Sequence, residues 1–173
     1  MTEIKSNYNH GKYGTFMFNI CAKATMYLLK HKWLYYLLAC TWGIIMTVIG
    51  ALTSAILYLS SFFIKSIKFQ LFYWIYNICI GPNYWGGCSF GLVFLRDQKS
   101  WMQLSNHEFG HTFQNCILGP LMPILVGIPS MCRYWYQAIR MKQGKTNKPY
   151  DAMWFEDAAS QCGKYAVEHL INK

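Results

Sequence analysis

The hydrophobic pattern divides the chain into an N-terminal polar part, a long apolar run and a mixed remainder. Residues 1–13 are polar and predict a disordered tail, and residues 14–32 mix apolar residues with lysines at helical spacing, as an interfacial amphipathic helix does. The run Trp33–Ile64 carries no charged side chain. Because about 20 apolar residues in a helix cross a bilayer, the pattern predicts a polar tail and interfacial segment over 1–32 and one long transmembrane helix over 33–64. Gly43 and Gly50 allow a bend in it, or a tight hairpin of two short helices.

Residues 65–173 predict a mainly α domain with a small β-hairpin. Phe72–Ile80 and Ser89–Leu95 are rich in aromatic and β-branched residues, and Gly81-Pro82-Asn83 between them predicts a turn. Two interpretations of this hairpin stay open. It either offers an edge strand to an extended substrate or simply packs on the helix that follows.

A second apolar segment, residues 117–131, contains three prolines and is a poor candidate for a membrane span. If it crossed the bilayer, the polar stretch 140–148 could not cross back. We therefore expect the segment to be re-entrant, to lie along the membrane interface or to pack against the protein.

Composition strengthens the membrane interpretation, because only 13% of the residues are charged and 18% are aromatic. The net charge of +9 comes from short basic groups beside apolar segments. That arrangement suits anionic lipid headgroups and not the groove of a nucleic-acid-binding protein. Seven scattered cysteines without a Cys-x-x-Cys pair argue against a disulfide framework and favour a reducing compartment.

The stretch Ser105–Thr112 contains the pattern His-Glu-x-x-His. Residues four apart share a helix face, so His107 and His111 can direct two imidazole nitrogens at one metal ion. Glu108 lies about 100° around the helix, within reach of a water at that ion but not placed as a ligand. The alternative is a polar helix whose two histidines meet solvent or backbone carbonyls.

The ends of this motif helix are also predicted from local signals. Ser100 as N-cap with Gln103 three residues later reads as a capping box. Gly119-Pro120 predicts where the helix ends.

A catalytic zinc site needs a third protein ligand, and the downstream candidates are Asp151, Glu156, Asp157, Cys162, Glu168 and His169. Glu156 is favoured because it follows a plausible helix start with Asp151 as N-cap, and because bulky apolar neighbours indicate burial. Small residues on its helix face would let that helix approach the motif helix closely: Ala159, Ser160 and Gly163. His169 is the second choice, and a carboxylate without a metal is the alternative.

Several motifs together resemble a family of small bacterial membrane proteins of zinc metallopeptidase type, similar to the gluzincins: Trp85-Gly-Gly, His107-Glu-Phe-Gly-His-Thr-Phe-Gln-Asn, Leu118-Gly-Pro-Leu-Met-Pro, Ile128-Pro-Ser, Arg133-Tyr-Trp-Tyr and Tyr150-Asp-Ala-Met-Trp-Phe-Glu156. The resemblance covers about residues 33–163 and implies a zincin-like core. It supports Zn²⁺ held by His107, His111 and Glu156, with Glu108 as base. Better-known gluzincins often place an Asp a few residues after the Glu to orient a ligand histidine, whereas this chain has Ser160.

The function predicted from these residues is a membrane-embedded zinc metallopeptidase that hydrolyses peptide or protein substrates with Glu108 as general base. Tyr150 or Tyr134 would stabilise the oxyanion, and the residues do not choose between them. Gln114 and Asn115 are expected either to orient a ligand or to be surface amides.

Two other functions stay open: a non-catalytic membrane protein with a structural or vestigial zinc site, and a metal-dependent hydrolase of lipids. We expect an integral protein of the bacterial cytoplasmic membrane whose partners are the bilayer and a substrate, not nucleic acid. A small excess of lysines before the apolar run over those after it favours an N-terminus in the cytosol. A single span would then put the site outside, and a hairpin over 33–64 would return it to the cytosol.

Overall fold

The computed structural model describes residues 3–81, 85–98 and 101–172, except for the side chain of Trp101. These residues form six helices and one sheet: α1 (Gly11–Lys30), α2 (Lys32–Cys40), α3 (Ile44–Ser61), β1 (Ile67–Phe72), β2 (Ile75–Ile80), β3 (Gly87–Phe90), β4 (Val93–Arg96), α4 (Trp101–Leu118), α5 (Ile128–Lys142) and α6 (Trp154–Ile171). Short 3₁₀ turns cover Gly119–Leu121 and Tyr150–Ala152, and a π-helical turn covers Pro123–Gly127. The mainly α class with a small sheet is confirmed.

The N-terminal residues are packed, contrary to the predicted disordered tail. Ile4 is buried in a cluster with Ala158 and Cys162 of α6. The side chains of Ser6 and His10 both contact the buried carboxylate of Asp157. Long-range polar contacts of this kind leave no periodic signal, so the polar composition alone misled the prediction.

The single long helix predicted over 33–64 is wrong, because the chain forms α2 and α3 with a break at residues 41–43. The break includes Gly43, one of the two glycines at which a bend or a hairpin was left open. α2 belongs to the protein core, where Tyr35 is fully buried and its hydroxyl donates to Thr112. At the break, Gly43 lies so close to α4 that an added Cβ would stand 2.4 Å from the side-chain amide of Asn115. The amide of Asn115 also donates to the Gly43 carbonyl at 3.3 Å.

α3 is the one described helix that is long and apolar enough to cross a membrane, and only 11% of it is buried. Its small residue Gly50 faces the protein, where the Phe90 carbonyl would lie 2.3 Å from an added Cβ. Its large apolar residues are exposed, including Ile45, Ile49, Leu52, Ile56 and Leu59. A helix on an aqueous protein surface normally turns its large apolar side chains inward. The distribution in α3 is the reverse.

The sheet has the strand order β1-β2-β4-β3, and its two hairpins replace the single hairpin predicted over Phe72–Ile80 and Ser89–Leu95. β1 pairs with β2 and β3 with β4 antiparallel, while β2 and β4 are parallel. Tyr73 adopts a φ of 55° in the turn that divides β1 from β2. Of the predicted turn Gly81-Pro82-Asn83, the last two residues lie outside the described residues. The arrangement leaves β3 at the edge, packed on α4.

α4 and α6 cross with their backbones in contact. An added Cβ on Gly110 would stand 1.9 Å from the Ala159 carbonyl oxygen, and one on Gly163 would stand 1.7 Å from the Asn106 carbonyl oxygen. The close approach predicted from the small residues of α6 is therefore present. On the other side of α4, Phe109 and Phe113 are fully buried in the main core.

The predicted end of the motif helix is confirmed, because α4 ends at Leu118 and Gly119 follows with a φ of 54°. The predicted N-cap, Ser100, lies outside the described residues. After Gly119 the chain bends by 115° between the α4 and α5 directions. This bend agrees with the expectation that 117–131 does not continue as one straight span.

Candidate metal centre

Three predicted ligand atoms meet where α4 crosses α6. Nε2 of His107 lies 3.1 Å and Nε2 of His111 lies 3.3 Å from Oε2 of Glu156. The two Nε2 atoms are 3.2 Å apart. In a tetrahedral zinc site with bonds of about 2.0–2.1 Å, neighbouring ligand atoms are separated by about 3.3 Å. The triangle therefore has the size that one zinc ion requires.

The side chain of Gln114 decides which nitrogen of His111 is free. Its amide nitrogen donates to the Phe155 carbonyl at 2.7 Å, so its oxygen faces Nδ1 of His111, also at 2.7 Å. An amide oxygen only accepts hydrogen bonds, so Nδ1 carries the proton in neutral His111. The lone pair of Nε2 is then directed at Glu156, as a metal ligand requires.

His107 is oriented from the other helix. Its Nδ1 lies 2.8 Å from Oγ of Ser160, which stands one turn after Glu156 on α6. The serine hydroxyl thus lies where it can orient the ring of His107 from α6. A hydroxyl can accept the Nδ1 proton of His107 just as a carboxylate can, with less negative charge.

Both carboxylate oxygens of Glu156 are buried, and the polar atoms next to Oε2 are Nε2 of His107 and Nε2 of His111. A buried ionised carboxylate is costly unless it is paired or coordinates a metal. Burial raises the pKa of Glu156, but bonds and charges from His107 and His111 outweigh burial and hold it below the ordinary value. Burial lowers the pKa of His111, whereas Glu156 and Glu108 together raise it to about 9. These groups therefore fit a cation at their centre.

Glu108 points to the edge strand and not into the ligand triangle. Its Oε2 receives a hydrogen bond from the Ser89 hydroxyl at 2.8 Å, and the same hydroxyl lies 2.6 Å from the Glu108 carbonyl. Gly87 makes room for this carboxylate, since an added Cβ would stand 2.7 Å from Oε1. Burial raises the pKa of Glu108 above the ordinary value, although His107, His111 and Ser89 oppose the change.

Of the two tyrosines considered for the oxyanion, Tyr150 lies near Glu156 and Glu108. Burial and the charges of Glu156 and Glu108 raise its pKa, while the bond to Ser130 lowers it. Its hydroxyl lies 2.7 Å from Oγ of Ser130. The other predicted candidate, Tyr134, lies on α5 and is 49% exposed.

The site opens to solvent mainly along His107, whose side chain is 16% exposed. Glu156 is fully buried, Glu108 is 3% exposed and His111 is 6% exposed. Solvent therefore reaches the ligand triangle mainly on the His107 side.

The other predicted ligand candidates serve elsewhere. Asp151 is not an N-cap, since α6 begins at Trp154 and the Asp151 carboxylate accepts from the Tyr8 hydroxyl. Asp157 binds His10 and Ser6, and His169 stacks on Tyr165. Asn115 bonds to Gly43 and not to a ligand.

Sequence reasoning missed two contributors to the site, Ser89 and Gly87. Both lie on β3 and contact Glu108 about 20 residues later in the chain. The glycines in and beside this strand were the signal in the sequence that could have located it. A glycine within a strand often marks a place where another group approaches the backbone closely.

Comparison of this chain with protein-family models, with curated proteins and with solved structures finds no match in any of the three.

Proposed function

We propose that this chain is a membrane-embedded zinc metallopeptidase of gluzincin-like type, with the ion held by His107, His111 and Glu156 and with Glu108 as general base. The observation that supports this most strongly is the carboxylate of Glu156. It is buried, and its Oε2 lies 3.1 and 3.3 Å from the Nε2 atoms of two histidines. Two histidines and one glutamate are a protein ligand set of catalytic zinc.

A zinc ion at this site would supply a Lewis acid that lowers the pKa of a water molecule toward neutrality. Glu108 takes the proton of the attacking water and later delivers a proton to the leaving amine. The raised pKa of Glu108 suits these two proton transfers, because Glu108 then holds a proton more readily than an exposed glutamate does.

Ser89 can support both protonation states of Glu108. When Glu108 is ionised, the Ser89 hydroxyl donates to Oε2. When Glu108 is protonated, its own hydroxyl can donate to Oγ of Ser89, while Ser89 donates to the Glu108 backbone carbonyl at 2.6 Å. A serine both donates and accepts, so it keeps the carboxyl group in place through the proton transfer.

Tyr150 is assigned as the donor to the developing oxyanion. Acyl transfer needs donors aimed at the charge that forms on the carbonyl oxygen. Tyr150 is close enough to Glu156 and Glu108 for their charges to raise its pKa, whereas Tyr134 is exposed on α5. To act, the Tyr150 hydroxyl exchanges its bond to Ser130 for one to the substrate.

The edge strand favours an extended peptide as the substrate. β3 has one neighbouring strand, β4, and its residue Ser89 touches the proposed base. An edge strand presents unpaired backbone groups, which an extended peptide can pair with. Of the two interpretations of this strand, pairing with a substrate is thus the one we propose.

Membrane insertion is proposed from α3 alone. Gly50 faces the protein, and most of the large apolar residues of α3 are exposed, which is a distribution found where a membrane helix packs closely on a neighbour. Since α2 lies in the core, α3 replaces the longer segment 33–64 as the proposed span.

The experiment compares hydrolysis of a peptide library by the wild-type protein and by Glu108→Gln, with metal content measured on the same preparations. We expect Glu108→Gln to keep its zinc and lose hydrolysis, because glutamine keeps the bond to Ser89 but cannot take a proton. Glu168→Gln, an exposed change on α6, is the matched control and should retain full activity. Equal hydrolysis by wild type and Glu108→Gln would remove Glu108 from the mechanism.

The burial of the ligands supports a second candidate, a structural zinc site without catalysis. Only the His107 side chain reaches solvent appreciably. In that case neither peptides nor lipids are cleaved, Glu108→Gln has no effect on function, and His107→Ala destabilises the fold. Cleavage of lipids and not peptides in the same assay would favour a lipid hydrolase.

A further inference from the structure

Tyr150 begins the short 3₁₀ turn that follows the loop 143–149, between α5 and α6. The turn closes with a hydrogen bond from the Ala152 amide to the Pro149 carbonyl at 3.1 Å. Loops are more mobile than the helices and strands that they connect. A donor that must meet a reacting atom at a fixed distance therefore needs support from a rigid element.

Arg133 of α5 gives Tyr150 that support. Its Nε donates to the Tyr150 carbonyl at 2.9 Å, and its Nη2 donates to the carbonyl of the preceding residue, Pro149. Its guanidinium carbon also lies 5.9 Å from the centre of the Tyr150 ring. One planar group thus contacts two consecutive carbonyls and an aromatic ring, which the rigid fork of a guanidinium allows and a lysine ammonium does not.

The contacts of Arg133 are independent of the Tyr150 hydroxyl. That hydroxyl lies 2.7 Å from Oγ of Ser130, one turn before Arg133 on the same helix. Arg133 holds the backbone and the ring instead. When the hydroxyl leaves Ser130 for a substrate, the bonds from Arg133 can therefore stay in place. Hydrogen bonds from a charged donor are also stronger than those from a neutral one.

Arg140 offers a comparison within the same helix, because it binds the same loop farther from the site. It lies about two turns after Arg133. It donates to the Thr146 carbonyl at 2.7 Å and to the Asn147 side chain at 3.1 Å. Both arginines thus fasten the loop to α5, but the bonds of Arg133 are the ones that reach Tyr150.

We propose that Arg133 is a positioning residue, which holds Tyr150 where its hydroxyl can meet the oxyanion of the substrate. This proposal rests on the proposed peptidase function and on Tyr150 as the oxyanion donor. Arg133 acts through Tyr150 and does not touch the substrate. Its loss should therefore lower kcat and leave KM unchanged, because the contact with the oxyanion forms in the transition state. Zinc affinity should also stay unchanged, because the bonds of Arg133 go to Pro149 and Tyr150.

The test is a double-mutant cycle on the full chain. Wild type, Tyr150→Phe, Arg133→Lys and the double variant are compared in hydrolysis of the same peptide. Lysine keeps the charge but loses the fork. We expect Tyr150→Phe to lower kcat about 100-fold and Arg133→Lys about 10–100-fold. The double variant should be no slower than Tyr150→Phe alone, whereas a merely structural role of Arg133 would multiply the two losses.

Arg140→Lys is the matched control, because it makes the same change on the same helix and loosens the same loop. It should keep the kcat of the wild type. Losses of kcat that multiply in the double variant, or an equal loss in Arg140→Lys, would overturn the positioning role.

A second measurement does not require activity. With 3-fluorotyrosine incorporated at position 150, fluorine NMR should show a resonance that Arg133→Lys shifts or broadens and that Arg140→Lys leaves in place. A resonance that Arg133→Lys does not change would overturn the proposal. If the wild type hydrolyses no peptide, the proposed function fails, and this resonance still decides whether Arg133 fixes Tyr150.

Discussion

Oε1 of Gln114 lies 2.7 Å from Nδ1 of His111, and the amide nitrogen of the same glutamine is anchored on the Phe155 carbonyl. Phe155 immediately precedes Glu156, so one side chain on α4 links a ligand histidine to the backbone that carries the ligand carboxylate. The tautomer of His111 and the position of Glu156 are therefore coupled.

Gln114→Ala should lower zinc affinity about 10–100-fold, the usual effect of removing a partner that orients a ligand. The affinity is measured by competition with a zinc chelator. Gln103→Ala, on an exposed position of the same helix, should leave it unchanged. An unaltered affinity in Gln114→Ala would show that His111 is oriented without this amide.

Ser89→Ala should leave zinc content unchanged and shift the pH profile of hydrolysis. The Ser89 hydroxyl opposes the burial that raises the pKa of Glu108, so its removal raises that pKa further. The acidic limb of the rate profile, where Glu108 must be ionised, should then move to higher pH. Ser89→Thr, which keeps the hydroxyl, is the control, and its acidic limb should lie at the pH of the wild type. Identical pH profiles for the wild type and Ser89→Ala would contradict the contact between Ser89 and Glu108.

Gly163→Ala should separate α4 from α6. Its Cβ would meet the Asn106 carbonyl oxygen at 1.7 Å, so the helices must move apart, at a cost of about 1–3 kcal/mol in the free energy of unfolding. Thermal unfolding and zinc affinity should both fall. Gly127→Ala is the control, because the nearest atom to its Cβ would be 3.9 Å away.

The metal-free chain should lose stability as the pH rises from about 6 to 9. Burial lowers the pKa of His111, but Glu156 and Glu108 raise it to about 9, above the value of about 6.5 for an unfolded chain. Folding therefore favours the protonated form, and this stabilisation is complete below pH about 6.5 and lost as the pH rises through 9.

The expected loss is on the order of 3 kcal/mol in the free energy of unfolding, and it is followed as the unfolding temperature in the presence of a chelator. His111→Gln, which does not titrate, should lack this slope. A stability that increases over the same pH range would contradict the pairing of His111 with Glu156.

The parts of the site that sequence reasoning located share a local origin. The spacing of His107 and His111 follows from helix periodicity alone, and the closeness of α6 follows from small residues such as Gly163. The C-terminal end of α4 was similarly predictable, because Gly119 with its positive φ marks it.

The parts that it missed depend on contacts between distant segments. Gly43 allowed a break in residues 33–64, but the contact that Gly43 makes with Asn115 at the break joins residues 72 positions apart. The packing of residues 3–10 on α6 involves the buried carboxylate of Asp157, which contacts the side chains of Ser6 and His10. Neither contact changes the hydrophobic pattern from which elements are predicted.

The most direct test of the zinc site is the metal content of the purified protein, compared with that of Glu156→Ala after dialysis against the same zinc concentration. The account predicts about one zinc per chain in the wild type, held through exhaustive dialysis, and little or none in the variant. A wild-type protein without zinc, or a Glu156→Ala protein that retains it in full, would contradict the claim that these two histidines and this glutamate hold one ion.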